Sequence, residues 1–239
     1  MLLVIDVGNT NTVIGVFKKT KLIKNWRIRT ERNATEDEFN ILISNLFAQN
    51  AINPANINRT IISCVVPPVI ENLDAFCKKH LKHNPHWVDA KSTAQMPILY
   101  GNPDEVGADR IVNAVAAFHL YKQSLIVIDF GTGAISPGIG IASESLFKSA
   151  SKLPRVELMA PPDNVIGKDT INSIKSGIIF GYAGLVDGIV YRMKKEMGSD
   201  PKVIATGGLA VLLSNVSKTI EDVEPDLTLN GLRIIADSL

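Results

Sequence analysis

The chain has 239 residues and a mass of 25.9 kDa, which is enough for one large domain or two smaller ones. Hydrophobic residues make up 46% and charged residues 21%, a composition that excludes an intrinsically disordered chain. Lys and Arg total 25 against 24 Asp and Glu, so the net charge of +1 argues against a strongly basic nucleic-acid binder. We therefore expect no nucleic-acid partner.

Cysteine content and hydropathy indicate the cellular compartment. Cys64 and Cys77 are too few to form a disulfide framework, and they fit a reducing environment. Asp6 interrupts the first apolar run too early for a signal peptide. The apolar stretch 177–191 carries Asp187 and is short for a membrane span. We expect a cytoplasmic protein without a membrane partner.

Hydrophobic periodicity predicts the elements in chain order. An apolar strand ending at Asp6 leads into a hairpin with strands at 12–17 and 22–29, then a helix at 35–49. A strand at 58–66, a helix at 69–83, a short strand at 86–89 and a helix at 104–121 follow. The second half predicts strands at 124–129 and 202–206, and helices at 139–152, 171–197, 210–216 and 229–239. Strands alternating with helices predict an α/β protein with helix-covered mixed sheets.

One short motif occurs twice. Residues 4–10 read Val-Ile-Asp-Val-Gly-Asn-Thr and residues 127–133 read Val-Ile-Asp-Phe-Gly-Thr-Gly, so Asp6 and Asp129 lie about half the chain apart. The repeat predicts two similar domains, which we place at 1–117 and 118–239. In each copy an acid ends a buried strand before a glycine turn, a pattern that favours phosphate and metal binding. A capped turn without ligand chemistry is the alternative for a single copy.

The two copies differ in the segments that come after them. The first continues into the predicted hairpin, whereas after Thr132 the second runs directly into Gly133-Ala-Ile-Ser-Pro137. Two explanations stay open: a real deletion, or a hairpin that the protein carries and this sequence omits. An intact mass of 25.9 kDa would indicate the deletion.

Motifs along nearly the whole chain resemble the type III pantothenate kinases of the actin, hexokinase and Hsp70 superfamily. The matching segments include Asp6-Val-Gly-Asn-Thr-Asn-Thr12, Tyr100-Gly-Asn-Pro103, Gly107-Ala-Asp-Arg110, Ile128-Asp-Phe-Gly-Thr132 and Thr206-Gly-Gly208. The resemblance implies two ribonuclease H-like domains from an actin-like ATPase duplication. It also implies ATP-dependent phosphorylation of pantothenate to 4′-phosphopantothenate, the first step of coenzyme A synthesis.

The same resemblance implies cofactors, partners and site residues. It implies Mg²⁺, a monovalent cation (K⁺ or NH₄⁺) and a homodimer. Asp109 is the implied general base. The implied ATP-binding residues are Asp6, Val7, Gly8, Asn9, Thr10, Asn11, Thr12 and Thr132, with Asp6 also a candidate Mg²⁺ ligand. The implied substrate-binding residues are Tyr100, Gly107, Ala108, Arg110 and Thr170, and Asp129 is the implied monovalent-cation ligand.

Each of these residues also has a plainer interpretation. Asp109 could cap a helix, Arg110 could pair on the surface with Asp104 or Glu105, and Tyr100 could lie in the core. Thr170 could be the N-cap of the following helix.

Two other functions stay open on the same fold: a non-catalytic accessory factor for transcription, and a kinase for another small alcohol. The presence of both Asp6 and Asp109 argues against the first, and the segment 107–110 argues against the second.

Overall fold

A computed structural model describes residues 1–93, 96–129, 136–150 and 152–239. Contacts divide the chain into two compact units, one formed by Met1–Leu120 with Leu227–Leu239, the other by Tyr121–Asp226. The chain therefore returns to the first unit at its last helix, which the predicted domain ranges did not anticipate. The predicted boundary after residue 117 stays a prediction.

The described elements follow the predicted order closely. The strands are β1 (Leu2–Val7), β2 (Asn11–Lys18), β3 (Lys21–Arg29), β4 (Arg59–Cys64), β5 (His86–Trp87), β6 (Leu125–Asp129), β7 (Lys202–Thr206) and β8 (Asp222–Val223). The α-helices are α1 (Glu36–Gln49), α2 (Ile70–Phe76), α3 (Ala108–Tyr121), α4 (Ile139–Ser149), α5 (Thr170–Met197), α6 (Ala210–Ser214) and α7 (Leu227–Ser238). The predicted helix at 69–83 leaves α geometry after α2 and continues as a π-helical turn, Cys77–Leu81. Strand β8 was not predicted from the sequence.

The first unit contains a mixed sheet in the order β3-β2-β1-β4-β5. β1 pairs antiparallel with β2 and parallel with β4. One face packs against apolar side chains of α1 and α2, among them Phe39, Phe47 and Phe76. The other face packs against α3 and α7 through residues such as Ile111 and Leu232. Because the strand faces alternate, Asp6 points to the side of the sheet that α3 and α7 cover.

Helix α7 packs tightly within the first unit. Gly231 is required there, because a Cβ at this position would collide with the carbonyl oxygen of Val112 in α3. Arg59 Nη1 donates to the carbonyl of Ala236 over 2.8 Å, which fixes the end of the helix to β4.

The second unit contains a parallel sheet in the order β6-β7-β8. Val186 and Val190 of α5 pack on Ile126 and Val203 of this sheet. Only residues 130–138 lie between β6 and α4, whereas the hairpin strands β2 and β3 have 8 and 9 residues. No sheet hairpin follows β6 in the described part of this unit.

Helix α5 has 28 residues, and within the described ranges it is the one helix long and apolar enough to cross a membrane by length and composition. The best 18-residue window has a mean hydropathy of 1.3, and 33% of it is buried. Its buried side chains pack on β6, β7 and α6, as those of a core helix do. Much of its remaining apolar surface lies exposed, including Leu185 and Tyr191.

Candidate active site

The turn after β1 is held by hydrogen bonds from within the first unit. The Gly8 amide donates to the carbonyl of Asn11 over 3.0 Å, which closes the turn. Thr30 Oγ1, at the end of β3, donates to the Gly8 carbonyl over 2.7 Å. The Thr30 amide also donates to the Thr10 carbonyl over 3.0 Å. The β2–β3 hairpin thus brings Thr30 back to the turn after β1, and the hydrogen bonds of Thr30 fix that turn.

The predicted ATP-binding residues of this turn divide into two groups. Val7 and Thr12 are buried, and the Thr12 hydroxyl lies 2.9 Å from that of Thr30, so both residues support the turn from inside. Asn9 and Thr10 are exposed, and Asn11 is half-buried. A phosphate reaching the turn from solvent would therefore meet Asn9 and Thr10 first.

Two residues near this turn were missed by sequence reasoning. Thr30 supports the turn, and Arg32 Nη2 donates to Asn9 Oδ1 over 3.4 Å. Together with Asn9 and Thr10 they line a small cleft of about 360 Å³. Neither belongs to a recognisable motif, because their proximity depends on the length and register of the hairpin.

Asp109 lies in the first turn of α3, where its Oδ1 accepts from the Arg110 amide over 2.8 Å. An ideal Cβ built on Gly107 would lie 2.5 Å from that carboxylate oxygen, so a side chain at 107 would displace it. The same Cβ would lie 3.6 Å from Val65, whose amide donates to the Val7 carbonyl at the end of β1. The start of α3 therefore lies next to the carboxyl ends of β1 and β4.

The other predicted substrate residues of the first unit fall around the same helix start. Ala108 is buried, and Tyr100 is 54% exposed, which overturns the core alternative for that tyrosine. Among the described residues Arg110 forms no ion pair with Asp104 or Glu105, so the surface-pair alternative is also wrong. Its Nε is instead buried without a hydrogen-bond partner.

The second unit holds the remaining predicted residues. Asp129 ends β6 and is in register with Thr206 of β7. Gly207 follows with a φ of 93°, a left-handed conformation that favours glycine and turns the chain toward α6. Thr132 lies outside the described residues, as does most of the segment between β6 and α4.

Thr170 is exposed at the first position of α5. The N-cap is Asp169, whose Oδ1 accepts from the Asn172 amide over 2.8 Å, so the N-cap alternative for Thr170 is wrong. These hydrogen bonds, from the amide and side chain of Asn172, hold the pKa of Asp169 below its ordinary value. Thr170 lines an open cleft of about 1060 Å³ with Lys168 and Tyr182.

Three further polar groups have structural partners. His80 contacts Asp37, His83 contacts Thr60 and His86 contacts Ser92, and the described residues contain no cluster of three or more His, Cys, Asp or Glu side chains fit to hold a metal ion. These contacts do not support a zinc site.

Asp187, in α5, has its hydrogen-bond partners within its own unit. Its carboxylate accepts hydrogen bonds from Ser217, Lys218 and Thr219 of its own unit. Burial alone would raise the pKa of Asp187, but these hydrogen bonds outweigh it and lower that pKa below its ordinary value. Burial and the Asp6 charge raise the pKa of the Cys64 thiol, which disfavours the reactive thiolate.

Comparison with known proteins identifies the fold. The chain is similar to a crystal structure described as a conserved Baf family transcriptional activator from Campylobacter jejuni, with 17% identity and a TM-score of 0.53, covering 99% of this chain and 97% of that one. It is also similar to one described as a 2-dehydro-3-deoxygalactonokinase protein from Sinorhizobium meliloti, with 12% identity and a TM-score of 0.56, covering 100% and 97%. The α/β fold of the actin-like ATPase type, predicted from the sequence, is confirmed.

Sequence comparison identifies the family. A type III pantothenate kinase from Desulfatibacillum aliphaticivorans is 62% identical, covering 99% of this chain and 98% of the relative. That alignment spans 252 positions against the 239 residues of this chain, so the relative carries at least 13 residues that this chain lacks. The family model described as type III pantothenate kinase matches residues 2–192. The chain belongs to the type III pantothenate kinase family.

Proposed function

We propose that this chain transfers the γ-phosphoryl group of ATP to the primary hydroxyl of pantothenate, the first step of coenzyme A synthesis. The observation that supports it most directly is the position of Asp109, beside Val65 and the carboxyl end of β1, in a protein of this family. Phosphoryl transfer depends mainly on positioning and on neutralising charge. The glycine turn at the end of β1 and the carboxylate of Asp109 at the neighbouring start of α3 fit that requirement.

Asp109 is our candidate general base. Gly107 leaves room for its carboxylate, which an additional Cβ would displace. A carboxylate there can accept the hydroxyl proton of pantothenate as the oxygen attacks phosphorus, and the leaving oxygen remains on ADP. Arg110, whose buried Nε has no partner within the described ranges, is suited to bind the pantothenate carboxylate or a phosphate oxygen. Tyr100 would supply an exposed aromatic surface to the pantothenate chain.

The turn after β1 fits a magnesium-bound nucleotide. Mg²⁺ binds through one or two carboxylates, phosphate oxygens and waters, and needs no cage of protein ligands. Asp6 would supply that carboxylate, and Asn9 and Thr10 are exposed donors for the phosphates. Bound Mg²⁺ would neutralise charge that develops on the transferring phosphoryl group. Asp129, at the matching strand end of the second unit, would be the ligand of K⁺ or NH₄⁺.

The experiment that tests this function measures pantothenate-dependent ADP release with Mg²⁺, with and without K⁺. We expect K⁺-stimulated turnover in the wild type and a fall of about 10³-fold in kcat for Asp109→Asn, the size typical of losing a general base. Unchanged MgADP affinity in the variant would show that binding survives. ADP release that does not depend on pantothenate would contradict the assignment.

We also propose that the enzyme is a cytoplasmic homodimer paired through α5. Gly177, Gly181, Gly184 and Gly188 repeat along one exposed side of this helix, and a Cβ on each would meet nothing within 4 Å among the described residues. Such a surface lets a second helix approach closely. Light scattering should give twice 25.9 kDa, and Gly184→Leu should shift the mass toward one copy. A monomeric wild type would contradict this proposal.

A further inference from the structure

Ser63 is a buried polar residue that no contact in the free protein explains. It is 0% exposed, and its hydroxyl has no hydrogen-bond partner within the described residues. A buried hydroxyl without a partner destabilises the fold that contains it, so such groups are rare in native proteins. Its position in the sheet indicates which group could bind it.

Ser63 is the register partner of Asp6 across the parallel pair β1 and β4. Register partners point to the same face of a sheet and neighbouring strands lie about 4.8 Å apart, so Ser63 and Asp6 are adjacent residues on that face. Ile61, two residues earlier on the same face, packs in the cluster that includes Ala108 of α3. Ser63 therefore faces the side of the sheet where α3 begins and Asp109 lies.

The unpartnered Nε of Arg110 belongs to the same region. Arg110 is in the first turn of α3, directly after Asp109. Two of the three buried, unpartnered side-chain polar atoms found in the described ranges thus come from Ser63 and Arg110. Polar atoms left unpaired around one strand end are typical of a binding site before its polar ligand arrives.

We propose that Ser63 is a positioning residue for Asp6: in the nucleotide-bound enzyme its hydroxyl donates a hydrogen bond to the Asp6 carboxylate. A change of rotamer about the Cα–Cβ bond of either side chain moves its oxygen atoms and can close this hydrogen bond. An ionised carboxylate has about four lone-pair sites, so Asp6 can accept it beside its other contacts. The bond would hold one carboxylate oxygen on Ser63 and leave the other directed at the magnesium-bound phosphates. This inference rests on the proposed kinase function.

Because Ser63 is buried, a substitution there can distinguish a positioning role from a packing role. Removing an unsatisfied buried hydroxyl should leave the free protein as stable as before or more so. Removing a hydrogen bond to a charged group in the complex should weaken binding by about tenfold. Ser63→Ala should therefore keep or raise the melting temperature of the free protein while raising the Kd for MgADP.

The experiment compares wild type, Ser63→Ala and Ser63→Cys by calorimetric titration with MgADP and with ADP in excess chelator. Ile61→Val is the matched control, because it removes one buried methyl group from the same face of the same strand. We expect the tenfold loss for MgADP in Ser63→Ala, an intermediate loss in Ser63→Cys, and no change with metal-free ADP.

Three outcomes would overturn the inference. Equal MgADP affinity in wild type and Ser63→Ala would do so while leaving the kinase function intact. A fall in the melting temperature of free Ser63→Ala larger than that of Ile61→Val would assign Ser63 to packing. A wild type that binds no MgADP would overturn the proposed function as well, and this arm separates the two failures.

Discussion

The two units begin with the same strand and acid but differ in the support of the turn after it. In the first unit β2 and β3 extend from the turn, and Thr30 at the end of β3 bonds back to the Gly8 carbonyl. In the second unit residues 130–138 lead directly to α4, and β6 pairs with β7 alone among the described strands. The hairpin of the first unit thus fixes the turn that follows β1.

Comparison with a relative indicates that this chain is the shorter of the two. A 62% identical relative carries at least 13 residues that this chain lacks, although the two align over nearly their full lengths. The repeat independently points to the position after Thr132 as the place of the loss. The sequence after Thr132 has no segment equivalent to the hairpin that supports the first turn. Two measurements test that contrast and a third tests the stability of the second unit, and the largest expected effect comes first.

The first prediction compares the two strand-end acids. Asp6→Asn should lower kcat/KM for ATP by about 100-fold, because it removes the charge that, in the proposed site, would hold Mg²⁺ against the transferring phosphoryl group. Asp129→Asn should cause a smaller loss of turnover at saturating ATP and should abolish stimulation by K⁺. Steady-state kinetics with and without KCl measure both. Equal losses with K⁺ stimulation retained in both variants would break the proposed division of roles.

The second prediction restores the missing residues. Inserting the corresponding segment of the Desulfatibacillum aliphaticivorans relative after Thr132 should raise kcat/KM for ATP by about tenfold, because a supported turn positions phosphate better. An insertion of equal length made of glycine and serine is the control, since it adds chain without strands. An equal gain from that control would show that length alone matters. The intact mass of the unaltered protein is measured first: 25.9 kDa would indicate the deletion, and a mass heavier by a hairpin would show that the protein already carries these residues.

Local patterns made most of the fold predictable. The apolar run before Asp6, the alternation in β2 and the Thr35 capping box before α1 are signals carried by neighbouring residues. The return of α7 to the first unit was not predictable, since it depends on a close approach of Gly231 to Val112 across the chain. The hydrophobic periodicity of a helix predicts which of its faces is buried, but it does not predict which element packs against that face.

The candidate site was predictable where its residues lie within motifs. Asp6, Asp109 and Arg110 lie in such motifs. In the structure the end of β1, which carries Asp6, lies next to the start of α3, which carries Asp109 and Arg110. Thr30 and Ser63 stand in ordinary strand sequence, and only the pairing register places them beside the turn and beside Asp6. Their roles depend on contacts between strands. Residues that pair across strands have no fixed separation along the chain, so a single sequence does not reveal them.

The third prediction concerns stability in the second unit. Asp187→Asn should destabilise the fold by about 1–2 kcal/mol at pH 7, because the carboxylate accepts several hydrogen bonds near residue 217. The folded pKa lies below the ordinary 3.8, so this contribution is present above that pH and is lost as pH falls through the folded value. Urea unfolding of both proteins at pH 7 and pH 3 measures it.

Asp200→Asn is the control for that measurement, because Asp200 pairs with Lys194 on the surface and its side chain is 88% exposed. Its effect should be near zero. A difference between wild type and Asp187→Asn that grows as pH falls below 3.8 would contradict the expected direction of the pH dependence.

The return of α7 sets an order of events during synthesis. The second unit is one continuous stretch, Tyr121–Asp226, and all of it leaves the ribosome before α7 does. Leu229, Leu232 and Ile235 complete the cover of the sheet face on which α3 also packs, so part of that face stays open to water until the final residues emerge. The half of the molecule that is translated first is therefore the half that completes its folding last.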